Sequence, residues 1–164
     1  MSYINVAETG QFVTLKINAD GFDYSSNVDV AFDGAGSANV VTVPALTEIT
    51  LNATPGLFRW KQLDALSEYV VTTASTNSLA ATVVLDSTTF FTGANSTQGI
   101  FATTNNKTPT YFRMYWQGTT SSDKYVQGVG YLAGLAPVVT PDSPVWTSPL
   151  TIEVSGAFTE GTVA

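Results

Sequence analysis

The sequence predicts a mainly β fold, an antiparallel β-sandwich or barrel with one short α-helix. Apolar and polar residues alternate with a period of two along most of the chain, the spacing that turns one face of a strand inward and the other outward. Charged residues make up only 12% of the 164 residues, about half the ordinary share. The polar surface must therefore come from Thr, Ser, Asn and Gln, and β-branched Thr suits a pleated, half-wet surface. With 44% hydrophobic residues the chain has the means to fill a core, unlike a disordered segment. Its length fits a single domain over residues 1–164, with extended N-terminal and C-terminal segments.

The elements follow in order. Residues 12–17 place Val13, Leu15 and Ile17 on one face and Thr14 and Lys16 on the other. Asp20-Gly21-Phe22-Asp23 reads as a turn, after which residues 27–32 set Val28, Val30 and Phe32 against Asn27, Asp29 and Ala31. Residues 33–37 are expected as a flexible loop, and residues 39–43 and 47–51 as short strands around Pro44. Thr54-Pro55-Gly56 predicts a turn opening a longer ribbon over residues 57–73, in which Phe58 and Trp60 share a face. A polar loop at residues 75–78 and a strand at 80–86 come next.

Asn95-Ser96-Thr97-Gln98 matches a capping box and predicts the helix over about residues 96–104. Asn105-Asn106 ends it, and Gly99 and the threonines weaken it by propensity, so tertiary packing must support it. Residues 110–117 alternate Phe112, Met114 and Trp116 with Tyr111, Arg113 and Tyr115, and residues 124–132 form the hairpin partner. Pro137, Pro141, Pro144 and Pro149 predict an extended connection rather than a central strand. Residues 150–154 are expected as the final strand, with three apolar residues inward.

Thirteen acidic residues face six basic ones, for a net charge of −7, and histidine and cysteine are absent. Those two absences exclude a Ser-His-Asp triad, a cysteine nucleophile, a histidine base, the common N/S zinc site and any disulfide. Asp20/Asp23 and Asp29/Asp33 are the nearest carboxylate pairs. The first favours turn geometry and Asp29 belongs to a strand's solvent face, so no catalytic residue is assigned. Residues 29–34 lack the alternating ligands and terminal Glu of a calcium loop, and Gly34-Ala35-Gly36 lacks the lysine and adjoining helix of a phosphate cradle. No cofactor or metal is expected.

Three Asn-x-Thr sequons, at Asn52, Asn95 and Asn106, carry no weight because residues 1–6 do not read as a signal peptide. No segment is apolar enough for a spanning helix, and the acidic balance argues against gripping nucleic acid. Tyr111, Tyr115, Tyr125 and Tyr131 are candidates for a sugar platform, although such spacing more often marks cross-strand or interface contacts.

From residue 80 onward the succession of pieces resembles the tail tube proteins of long-tailed bacteriophages. It comprises the strand at 80–86, the Asp86-Ser87-Thr88-Thr89-Phe90-Phe91 bend, the helix near 95–104 and Tyr111-Phe112-Arg113-Met114-Tyr115-Trp116. The hairpin into Tyr125-Val126-Gln127-Gly128-Val129-Gly130-Tyr131, the stretch from Val139 to Val145 and the closing strand 150–155 complete it. About half the chain is covered, by a pattern of elements rather than a signature motif, and contractile injection and type VI secretion tubes share the pattern.

The resemblance implies a non-enzymatic structural virion protein whose subunits form rings, usually hexameric, that stack into a hollow tube. DNA passes through without specific binding, and no membrane is involved. Partners would be further copies and other tail proteins (tape measure, terminator, possibly a sheath), in a virion assembled in the host cytoplasm. Asp20, Asp29, Asp33 and Asp123 are candidates to face the lumen, and Gly34, Gly36, Ser75 and Asn77 to lie in ring-stacking loops. A monomeric carbohydrate-binding β-sandwich and a capsid decoration or fibre protein are the alternatives.

Overall fold

Alternating side chains of this kind need two sheet faces to enclose them, and the fold supplies both from one folded-over sheet. The structure, a computed structural model, describes residues 13–18, 32, 39–61, 67–92, 99–116, 118–119 and 121–163. Within these lie nine strands: β1 (Thr14–Asn18), β2 (Val41–Thr42), β3 (Leu46–Lys61), β4 (Glu68–Val84), β5 (Pro109–Tyr115), β6 (Lys124–Ala133), β7 (Val138–Thr140), β8 (Ser143–Val154) and β9 (Thr159–Thr162). A π-helical turn (Thr88–Thr92) and the helix α1 (Ile100–Asn105) lie between β4 and β5. The sheet runs β2-β1-β5-β6-β8-β4-β3, and its pairings are antiparallel.

The sheet forks at β6. One edge of β6 pairs with β5. The other is shared, Lys124–Gln127 taking β9 and Gly130–Ala133 taking β8. Beyond the fork the sheet turns over on itself, so Leu15, Ile17, Phe112 and Met114 from one limb meet Leu79, Ala81, Val83, Leu150 and Ile152 from the other in a single core. Phe90 and Ile100 close one end of it, which gives α1 the tertiary support its composition lacks. The sheet stays open, with β2 and β3 at its two ends, so the architecture is sandwich-like rather than a closed barrel.

Strand β5 is buried on both faces. Phe112 and Met114 enter the main core, while Tyr111 packs with Phe32 in a second cluster. Arg113, 2% exposed, lies between the rings of Phe32 and Tyr125 (4.9 and 4.1 Å to the centroids), and its Nε donates to Gln127 Oε1 at 2.8 Å. A guanidinium tolerates this burial because its planar faces stack on rings and its edge is hydrogen-bonded.

Several expectations need correction. Thr54-Pro55-Gly56 is no turn: β3 passes straight through it, with a register shift between Thr54 and Gly56. Pro55 falls in that irregularity on an edge strand, where a missing N–H costs no ladder bond. Gly56 is required there, since a Cβ would collide with the Ala74 carbonyl. The polar run 75–78 is not a loop but part of β4, where Ser75 and Thr76 are exposed while Asn77 is buried.

Pro144 and Pro149 lie inside β8 rather than in a connection. The Leu85 N–H bonds the Trp146 carbonyl at 2.8 Å, and that alternation puts Pro149, opposite Thr82, at a non-hydrogen-bonded position towards β4. Its nitrogen therefore faces the other edge, in the gap between β7, which pairs at Thr147, and β6, which pairs from Thr151.

Helix α1 begins at Ile100 with Gly99 as N-cap and no side-chain cap, so the described helix starts later than expected. The expected capping box at Asn95–Gln98 lies outside the described residues, as do residues 27–31 of the strand expected at 27–32; its last residue, Phe32, is buried but helical rather than extended. Strand β8 is not the last: β9 joins β6 although Gly161 gives it weak strand character. Tyr125 lies over Gly161, and a Cβ there would run into the ring.

Candidate assembly surfaces

The β3–β4 hairpin is far longer than the core it serves. Its base is anchored, with Leu51 opposite Leu79 and Ile49 opposite Ala81 in the register. Beyond the irregularity at Thr54/Gly56 the two strands run on as an exposed ribbon, residues 57–61 against 68–72. Directly paired residues share a face. One face therefore carries Phe58 with Val71 and Trp60 with Tyr69, and the other carries Leu57 with Thr72, Arg59 with Val70 and Lys61 with Glu68.

Trp60 and Tyr69 stack at 4.8 Å, yet the first face is bare: Phe58 is 57% exposed and Val71 52%. Among the described residues, the second face carries one ion pair, Arg59–Glu68 at 3.7 Å, which at such exposure adds little. A free two-stranded ribbon is marginal in water. Three half-exposed aromatics on it leave on the order of 250–300 Å² of ring surface wet, much of the largest patch a monomer ordinarily shows.

A second apolar surface lies at the π-helical turn. Asp86 organises it: Oδ1 accepts the amides of Thr88 and Thr89, both at 2.9 Å, and Oδ2 accepts the Thr89 hydroxyl. These bonds, the Thr89 hydroxyl foremost, hold the carboxyl below its ordinary pKa. The turn so fixed presents Phe91 outward while Phe90 turns into the core, and the two rings meet edge-on at 4.8 Å. With Phe101 of α1 and Trp146 of β8 they line a groove of about 490 Å³.

The sugar platform does not form. Tyr111, Tyr115 and Tyr125 are buried, the last two as an edge-on pair at 5.9 Å with Lys16 over Tyr115, and of the four only Tyr131 is exposed. Among the described residues no group of His, Cys, Asp or Glu could hold a metal ion, and no helix is long and apolar enough to cross a membrane.

Of the candidate lumen residues, Asp123 is half-buried in the β5–β6 connection, its carboxylate beside Gly118 and its carbonyl accepting the Val163 amide at 2.8 Å. Asp20, Asp29 and Asp33, like Gly34 and Gly36, lie outside the described residues. Ser75 falls in the β4 irregularity, and Asn77 is buried in β4 with its Nδ2 donating to the Gly156 carbonyl at 2.7 Å. The exposed face of the arm, Phe58 to Tyr69, went unrecognised as a surface because a strand pattern in sequence does not say whether a second layer covers it.

No family model matches the chain, and no curated protein does. Solved structures do match. The tail of an empty GTA particle, obtained by helical refinement in C6 symmetry, superposes with a TM-score of 0.56 at 12% identity over 79% of this chain and 92% of that one. The SPP1 tail tube, solved by solid-state NMR and cryo-EM, gives 0.62 at 10% identity over 92% and 76%. The virion of a native gene transfer agent particle gives 0.56 at 10% identity over 75% and 89%. The chain thus has the fold of phage tail tube proteins.

Proposed function

We propose that this chain is a structural subunit of a virion tail that self-associates into rings, six to a ring, stacked into a hollow tube through which the genome passes. The observation that carries the proposal is the bare apolar face of the β3–β4 arm on a tail-tube fold, a surface whose burial needs another subunit. The unpaired outer edge of β3, at the end of the sheet, invites the same solution: an edge is safe when a neighbour occupies it. The C6 symmetry of one structural neighbour supports six subunits.

Rings close by head-to-tail contacts, while ring-to-ring contacts stay open and propagate a filament. A net charge of −7 suits a conduit, because phosphates slide past carboxylates and release no counterions to them. Asp20, Asp29, Asp33 and Asp123 are the lumen residues in this reading. Gly34, Gly36 and Ser75 border the ring contacts, and Asn77 supports them from within β4. Other tail proteins (a tape measure, a terminator and in contractile tails a sheath) complete the assembly in the host cytoplasm.

Sedimentation velocity over a concentration series tests the reading. Species much larger than one chain should appear as concentration rises. A chain that remains monomeric at high concentration and binds glycan would overturn it in favour of a carbohydrate-binding module.

A further inference from the structure

Two apolar surfaces on one subunit remain uncovered, and they are matched in kind. The arm offers a flat stripe, Phe58/Val71 and Trp60/Tyr69. The groove at the π-helical turn offers Phe91, Phe101 and Trp146 around a cavity of about 490 Å³, a size that takes one or two large side chains. Neither covers the other within the subunit, since Phe58 and Phe91 are 57% and 59% exposed. The arm face opposite the aromatic stripe carries Arg59 and Lys61 against Glu68, a surplus of one cation, while the carboxylate of Asp86 lines the groove.

We propose that the apolar face of one subunit's arm seats in the Phe91–Phe101–Trp146 groove of a second copy of this chain. The inference rests on the self-association proposed above and names its contact. Burying the stripe removes water from the arm's bare face and gives the marginal ribbon the second layer it lacks. The face with Arg59, Lys61 and Glu68 is left towards water, its surplus cation steering the approach to the acidic groove rather than adding affinity. Each subunit has one arm and one groove, so the contact is heterologous and passes from copy to copy.

The absence of cysteine makes a direct test clean. Val71→Cys places a thiol on the apolar face beside Phe58, Ser87→Cys places one in the groove, and Thr72→Cys places one on the opposite arm face; all three sites are exposed and spare every aromatic. The singly substituted chains are mixed as minor components of wild-type protein under assembling conditions and oxidised mildly. Val71→Cys with Ser87→Cys should give a disulfide-linked pair at least about tenfold more abundant than Thr72→Cys with Ser87→Cys, because a bridge forms only when Cα atoms come within about 7 Å and the side chains converge.

Assembly with no preference between the two mixtures, or with Val71→Cys linking chiefly to itself, overturns the arm-in-groove contact and leaves self-association standing. Failure of wild-type protein to assemble at all overturns both.

Discussion

Replacing Phe58 with serine separates folding from assembly. Phe58 stands on the arm, 57% exposed, so its truncation leaves the core untouched, and a surface change of this kind alters monomer stability by no more than about 0.5 kcal/mol. Complete burial of a Phe side chain contributes roughly 1.5–3 kcal/mol, so the fraction still wet has roughly 0.9–1.7 kcal/mol left to contribute when a neighbour covers it. That is about a 5- to 18-fold loss per contact, and about 5–10 kcal/mol for a closed ring of six in which each subunit uses its arm once. Urea unfolding followed by circular dichroism reads the first quantity, and the critical concentration for light scattering reads the second. The expected result is an unchanged urea midpoint with assembly shifted to much higher concentration. A variant that assembles at the wild-type concentration, or one whose monomer unfolds at clearly lower urea, would refute the reasoning.

Other perturbations probe the scaffold. Leu150, wholly buried where the two sheet limbs meet, should lose about 2–5 kcal/mol on Leu150→Ala by urea titration, while Leu150→Asp should fail to fold because it buries an unpaired charge; a soluble, cooperatively folded Asp variant would contradict the assigned strand face. Gly161→Val forces a side chain into the Tyr125 ring and should release β9, seen as faster amide exchange at residues 124–127 and 159–162. Asp86→Ala removes the acceptor for Thr88 and Thr89 and should destabilise by about 0.5–2 kcal/mol, the usual loss of a cap. The Asp86 carboxyl lies below its ordinary pKa, so this contribution is complete at neutral pH, begins to fall near pH 4 and disappears at still lower pH; wild type and variant should then converge in acid, and a constant difference at all pH values would speak against it.

The strands whose sequences alternate cleanly were legible: β1, β5, β6 and the buried half of β8 carry Leu15/Ile17, Phe112/Met114 and Leu150/Ile152 inward as the period of two requires. Legibility failed where a local rule met tertiary pairing. Thr54-Pro55-Gly56 has turn chemistry, but its neighbours pair across β4 and reduce it to an irregularity in a long strand. Pro149 looked like a strand breaker until its position placed the missing N–H in a gap between neighbours. β9 was invisible because Gly161 is chosen by the Tyr125 ring on another strand. Tyr111, Tyr115 and Tyr125 alternate like a solvent face yet are buried, Tyr111 packing with Phe32 and Tyr115 meeting Tyr125 edge-on. The arm and the groove were not legible as surfaces because both depend on what does not lie over them.

Cryo-electron microscopy of the assembled chain tests the central claim most directly. The expected image is a hollow tube of stacked sixfold rings in which Phe58, Trp60 and the outer edge of β3 lie against neighbouring subunits. Isolated single copies, or solid fibres without a lumen, with the arm still facing water would contradict it.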